Sequence, residues 1–272
     1  TSHVPRLMSP TATSSANYAL VNGLRLYYEL HGSSGVPLVL IHGGGSTIGT
    51  TFGRLIPLLS ATHRVIAVEV QAHGHTHDVD RPFTFAQDAD DVAALLDSLG
   101  VERADVFGFS NGGTTALHTA IRHAAKVRSL VIASANYSRG GMQEGFWDMM
   151  AQGTFADMPQ FYKDEYLKIN PGDDAGVHAL FERDSTRMLA FQDIPDDQLR
   201  AIESPALVVL GDRDVVTVEH ALALSRLLPH GRLCVLPGGH GEYFGEIGFP
   251  HVSDRTVRAF ADLLEDFLDA EP

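Results

Sequence analysis

Apolar positions follow two rhythms along this chain. Short, nearly continuous apolar runs alternate with longer stretches in which apolar residues return every three or four positions. The short runs are Pro37–Ile41, Val65–Val70, Asp105–Phe109, Ser129–Ala133, Ala206–Leu210 and Arg232–Leu236. Runs of this kind predict strands covered on both faces. The longer stretches predict helices. Phe85, Ala89, Val92, Leu96 and Leu99 share one helical stripe, and Gly100 marks its end. A second helix is expected after Ser110, running to about His123, and a third from Val218 to Leu228, before Pro229. A last helix, Asp254 to Leu268, places Val257, Phe260, Leu264 and Phe267 on one face, with Ser253 as its N-cap. The runs Tyr18–Val21 and Leu24–Leu30 flank Asn22-Gly23 and predict an opening hairpin. Strands alternating with helices imply βαβ units. The expected fold class is α/β, with a mostly parallel, doubly wound β-sheet.

Between 136 and 200 the pattern changes. No β-run appears, and helical stretches are broken by Gly153, Pro159, Pro171-Gly172 and Pro195. Five of the six methionines lie here: Met142, Met149, Met150, Met158 and Met188. Two readings fit: a helical layer packing its own core, or a mobile lid over an apolar pocket, since methionine adapts to irregular contacts. The expected organisation is therefore a core of residues 17–135 and 201–272, with a helical insertion at 136–200. Residues 1–16 are rich in Ser, Thr and Pro without an apolar h-region, and are expected to form a mobile tail rather than a secretion signal.

Composition narrows the function. The 34 acidic against 20 basic side chains leave a net charge of −14. That opposes binding to nucleic acid or to an anionic membrane, both of which need a Lys/Arg surplus. No apolar run reaches the roughly 18 residues of a membrane span. The single cysteine, Cys234, cannot pair within the chain and lies in an apolar run, so it is expected to be a buried inert thiol. A cytoplasmic setting is the expectation.

The chemistry concentrates at strand ends. Asp105–Phe109 runs into Gly108-Phe109-Ser110-Asn111-Gly112 and then turns helical. A tight strand-to-helix turn needs glycine on each side of the serine and lifts its hydroxyl above the sheet edge. A serine hydroxyl needs a base. Of the 14 histidines, His240 stands out, in a glycine-rich loop just past the last predicted strand. The base in turn needs an acid, and Gly211-Asp212-Arg213-Asp214 offers two after another strand. Val39–Ile41 leads into His42-Gly43-Gly44-Gly45, a turn whose backbone can approach a substrate closely. It lacks the lysine and serine/threonine of a phosphate loop. His73-Gly74-His75-Thr76-His77-Asp78 approaches a zinc-hydrolase pattern, but its last two residues are reversed, and a metal site is not expected.

With these residues the chain, from Tyr18 to Leu268, resembles α/β-hydrolase-fold serine hydrolases of the small single-domain group with a helical cap between the sixth and seventh strands. The order Ser, Asp, His is the one found in that fold. The resemblance implies Ser110 as nucleophile, His240 as base and Asp214 as acid, with Asp212 as the fallback. It implies an oxyanion hole from the Gly44 and Asn111 amides, Gly45 being the alternative to Gly44, and reads His42 as structural. Glu69, Ala72 and Val218 depart from the family's usual aspartate, glycine and proline. The implied activity is cofactor-free hydrolysis of a small or medium apolar carboxylic ester. A lactone, enol-lactone or carbon–carbon bond is the second substrate class, perhydrolysis a third. A small-molecule receptor on the same fold is the alternative outside catalysis. Arg139, Lys163, Lys168, Arg183 and Arg187 lie in the insertion, and any is a candidate to bind a substrate carboxylate.

Overall fold

The computed structural model describes residues 14–270. Among them eight strands form one sheet: β1 (Ser14–Val21), β2 (Leu24–His31), β3 (Pro37–Ile41), β4 (Arg64–Glu69), β5 (Ala104–Phe109), β6 (Val127–Ala133), β7 (Ala206–Gly211) and β8 (Gly231–Leu236). Their spatial order is β1-β2-β4-β3-β5-β6-β7-β8. β1 and β2 enter antiparallel, and every pairing from β4 to β8 is parallel. The opening turn has positive φ at both Asn22 (47°) and Gly23 (80°), as a two-residue hairpin of the primed type requires. The hairpin is longer than expected: Ser14, Ser15 and Ala16 pair with His31, Leu30 and Glu29. Those three positions of the expected tail are therefore strand. Residues 1–13 lie outside the described residues.

The helices are α1 (Ile48–Phe52), α2 (Ile56–Leu59), α3 (Phe85–Ser98), α4 (Asn111–Arg122), α5 (Phe146–Gln152), α6 (Gln160–Ile169), α7 (Asp174–Leu189), α8 (Asp196–Arg200), α9 (Val218–Leu227) and α10 (Asp254–Leu268). Alternate residues of one strand serve opposite layers. Val106 and Val208 join the cluster built with Val92, Leu117 and Leu224 of α3, α4 and α9. Phe107 and Val209 join Phe52, Phe260 and Leu264 of α1 and α10. Burial on both faces explains the near-continuous apolar runs. Each such large side chain contributes roughly 1.5–3 kcal/mol on burial.

Helices α5 to α8 follow β6 and precede β7. Their breaks fall at Gly153, Pro159, the Pro171-Gly172 turn and Pro195. This insertion has a small core of its own around Met158, Tyr166, Val177 and Leu180. A second cluster, Met188 and Phe191 with Phe85, ties it to α3. Among the described residues no helix is long and apolar enough to cross a membrane.

Candidate active site

Ser110 caps α4 directly after β5, with φ 54° and ψ −121°. A positive φ is uncommon for a residue with a Cβ and stores strain. The flanking glycines make the turn sterically feasible. A Cβ on Gly108 would lie 2.0 Å from the Gly112 carbonyl oxygen, and one on Gly112 would lie 2.1 Å from that of Ile41. The turn presents Ser110 Oγ 2.9 Å from His240 Nε2. His240 Nδ1 lies 2.7 Å from Asp214 Oδ1.

The two loops that carry Asp214 and His240 are stitched together. The Arg213 amide donates to the Gly238 carbonyl at 2.9 Å. Gly211 packs so closely that a Cβ there would meet the Gly238 oxygen at 2.1 Å. Asp214 is buried and also accepts from Ser134 Oγ at 2.5 Å and from the Val216 amide at 3.2 Å. Burial raises its carboxyl, but the charge and hydrogen bond of His240, with the other donors, hold it below the usual carboxylate range. Asp212 is half-exposed and accepts from the Gly238 amide at 2.8 Å, so it bonds across the loops. The bond to a backbone amide two residues on, typical of a turn aspartate, is made by Asp214.

The glycine run after β3 faces Ser110. Gly44 and Asn111 both line the cavity over the serine. Among the described residues neither amide has a protein acceptor. Asn111 is the first residue of α4, where helical amides are unpaired. The Gly45 amide is taken: it donates to Asp184 Oδ2 at 2.6 Å. His42 is structural, accepting from the Val70 amide at 3.2 Å and facing the Gly43 carbonyl at 2.7 Å. Burial pushes its imidazole down to about 3, so it is neutral at working pH.

The cavity has a volume of ≈ 440 Å³, within the range of small-molecule sites. All five methionines of the insertion line it. Phe146, Tyr162 and Phe181 add aromatic walls. The helical insertion thus both packs a core and walls the pocket. None of the insertion's six cations, the five candidates and Arg200, lines the cavity. Arg139 stacks on Trp147 and Lys163 on Phe155. Lys168 pairs with Glu165, Arg183 with Asp78, and Arg187 with Asp88 and Asp184. No candidate for binding a substrate carboxylate is therefore on the cavity wall. The charged carboxylates on the wall are Asp157 and Asp184, and both are acidic.

The histidine-rich stretch disperses. His73 faces the Gln71 carbonyl and Asp184, His75 turns to Glu69, and Asp78 pairs with Arg183. Among the described residues no three of His, Cys, Asp and Glu are arranged to hold a metal ion. Glu69, in the place of the usual aspartate, braces two loops by accepting from the Ile48 and His75 amides. Ala72 accepts the cost of φ 66° where the family has glycine. Val218 is the first residue of α9, a position where proline and other residues both fit. Cys234 is half-buried, and burial pushes its thiol up.

Three contributors were not singled out by the sequence. Ser134 supports Asp214 and faces the Tyr243 hydroxyl at 2.9 Å. Tyr162 of α6 donates to buried Glu246 at 2.7 Å, beside the His240 loop. Asp184 of α7 reaches the glycine run. Its available signal was an acid within the stripe Phe181, Ser185 and Met188.

The chain is similar to known hydrolases. A family model described as alpha/beta hydrolase fold matches residues 36–175. A pimeloyl-[acyl-carrier protein] methyl ester esterase of Neisseria meningitidis is 31% identical over 253 residues, covering 85% of this chain and 92% of the relative. A 2-hydroxymuconate semialdehyde hydrolase of Pseudomonas putida is 30% identical, covering 86% and 87%. The solved enol-lactonase of Burkholderia xenovorans superposes with a TM-score of 0.73 at 23% identity, over 93% of this chain and all (100%) of that one. With a serine at the strand–helix elbow after β5 of an eight-stranded, mostly parallel sheet, the chain belongs to the α/β-hydrolase fold family of serine hydrolases.

Proposed function

We propose that this protein is a serine esterase that cleaves a small or medium, uncharged, apolar carboxylic ester through an acyl-enzyme. The observation that carries the reading is the relay Ser110 Oγ to His240 Nε2 at 2.9 Å and His240 Nδ1 to Asp214 at 2.7 Å, opening on a methionine-lined cavity. Ser110 attacks the ester carbonyl while His240 takes its proton. Asp214 orients the imidazole and stabilises the imidazolium. The negative charge that develops on the carbonyl oxygen is met by the Gly44 and Asn111 amides, each on the order of 2.7–4 kcal/mol if removed. His240 returns the proton to the departing alcohol. It then activates water to clear the acyl group from Ser110.

In this reading residues 136–200 are the lid, and residues 17–135 and 201–272 the catalytic core. The esterase name of the Neisseria relative supports an ester as substrate. The cation-free wall supports an uncharged acyl group. A cytoplasmic setting belongs to the same proposal and rests on the single unpaired Cys234. A lactone or carbon–carbon bond hydrolase is the second reading, favoured by the likeness to the hydroxymuconate semialdehyde hydrolase.

A panel of p-nitrophenyl esters of rising acyl length, run beside lactones and an ester of a dicarboxylic half-acid, tests this. Turnover of neutral esters well above that of the half-acid is expected. A fluorophosphonate should label Ser110. Turnover confined to lactones moves the assignment to the second reading. Labelling that survives in Ser110→Ala at an unchanged rate removes the nucleophile.

A further inference from the structure

Asp184 has an arrangement that ester hydrolysis by the triad does not require. It lies on α7, on the face shared by Phe181, Ser185 and Met188 that lines the cavity. From there it crosses to the core. Its Oδ2 accepts from the Gly45 amide at 2.6 Å and lies 2.9 Å from His73 Nε2. Its Oδ1 accepts from Arg187 Nη2 at 2.5 Å, and Arg187 Nη1 donates to Asp88 of α3 at 2.5 Å. Arg187 is stacked on Phe83 and Phe85. The carboxylate is thus held from three sides and cannot swing. A Cβ on Gly44 would lie 3.0 Å from Asp184 Oδ2, so the carboxylate is packed against the residue whose amide faces the reacting oxygen.

We propose that Asp184 is a positioning residue of the oxyanion hole: it pins the Gly45 amide from the lid side and thereby aims the neighbouring Gly44 amide at the developing oxyanion. The inference rests on the serine esterase reading above and deepens it. An unpinned glycine run has wide backbone freedom. A carboxylate-to-amide hydrogen bond is of the stronger, charge-assisted kind. The same α7 face lines the cavity in which the proposed reaction seats the acyl group. Correct seating of the acyl chain and correct aim of the donor are therefore carried by one rigid helix. Binding energy from the acyl end then appears in kcat rather than in KM.

The test compares Asp184→Ala with Arg183→Ala. Arg183 also ties α7 to the core, through Asp78 and the Val79 carbonyl, but touches neither the cavity nor the glycine run. In Asp184→Ala, kcat should fall about tenfold to a hundredfold, short of the loss for removing a donor outright. KM should change little. Affinity for an alkyl boronic acid, whose Ser110 adduct puts an oxygen in the hole, should fall in proportion to kcat. Arg183→Ala should show neither effect. Should Asp184→Ala fail to fold, Asp184→Asn keeps the shape and one oxygen acceptor but loses the charge, leaves Arg187 on Asp88, and must show the same split in smaller measure. An unchanged kcat, or equal losses in kcat, KM and boronate affinity shared with Arg183→Ala, overturns the proposal. If the wild type turns over no ester and Ser110 is not labelled, the esterase reading falls and this inference with it. Normal wild-type turnover with an unaffected Asp184→Ala sinks the inference alone.

Discussion

Ser110 holds a strained backbone because its neighbours leave the turn no alternative, and its hydroxyl is aimed before any substrate arrives. Ser110→Ala fits the same turn, so it should keep the fold and lose several orders of magnitude in kcat. The acid is the sharper case. Asp214 is buried against His240, Ser134 and the Val216 amide, whereas Asp212 is half-exposed, accepts from the Gly238 amide across the loop and lies 3.8 Å from Arg213 Nε. Asp214→Asn removes the counter-charge and favours the wrong tautomer of His240, so kcat should drop on the order of 10⁴-fold. Asp212→Asn should keep most activity, since an amide still accepts from Gly238. Steady-state kinetics on one ester decides, and the reverse ranking would move the acid to Asp212. Ser110, His240 and the glycine run were legible because a tight turn dictates its own local sequence. Choosing Asp214 over Asp212 needed the family resemblance. Ser134 and Asp184 were not legible. Their partners lie 80 and 139 positions away, and no local spacing encodes such a bond.

At the scale of elements, the strands were readable because burial on both faces leaves unbroken apolar runs. The long helices were readable because one stripe repeats over three or more turns, as along Phe85–Ser98. α1 and α2, with five and four residues, are too short to show a period and were not expected. Nor did periodicity reveal which face of α7 would meet the pocket, because its apolar stripe is interrupted by Asp184 and Ser185. Methionine content was the better guide. Met150 and Met188 both line the cavity, one from α5 and the other from α7. Shortening either to alanine opens volume at the acyl end without touching the triad. Met150→Ala and Met188→Ala should shift the preferred acyl chain longer by one or two methylenes. Each methylene is worth about 1–3 kcal/mol in kcat/KM for a filled apolar slot. Met188 also packs on Phe85 and Phe191, so its variant should lose stability as well. An unchanged chain-length profile in both variants would place the acyl group elsewhere in the cavity.

The whole molecule carries a charge of −14, yet its acid sensitivity should be set by a few buried groups rather than by that surface. Burial lowers His42 to about 3 and His220 to about 4, and raises the Asp88 carboxyl to about 6. A histidine of the unfolded chain takes a proton near 6.5. Below that pH the unfolded state therefore binds protons that the folded His42 and His220 refuse. Stability from each is complete above about 6.5 and declines as pH falls toward the folded value, at about 1.4 kcal/mol per pH unit per proton. Asp88 acts with the opposite sign between about 6 and 4, since there the folded state takes the proton first. It cancels roughly one of the two histidines over that window. His220 is the group to remove. Its Nε2 accepts from the Tyr137 amide at 3.1 Å and its ring packs on Tyr137, and a glutamine oxygen can take over that acceptor role. Urea unfolding of wild type and His220→Gln from pH 7 to 4.5 should give curves that converge on acidification. The variant's slope should be shallower by about one proton, roughly 1.4 kcal/mol per pH unit. Parallel curves would mean that folding does not hold His220 neutral.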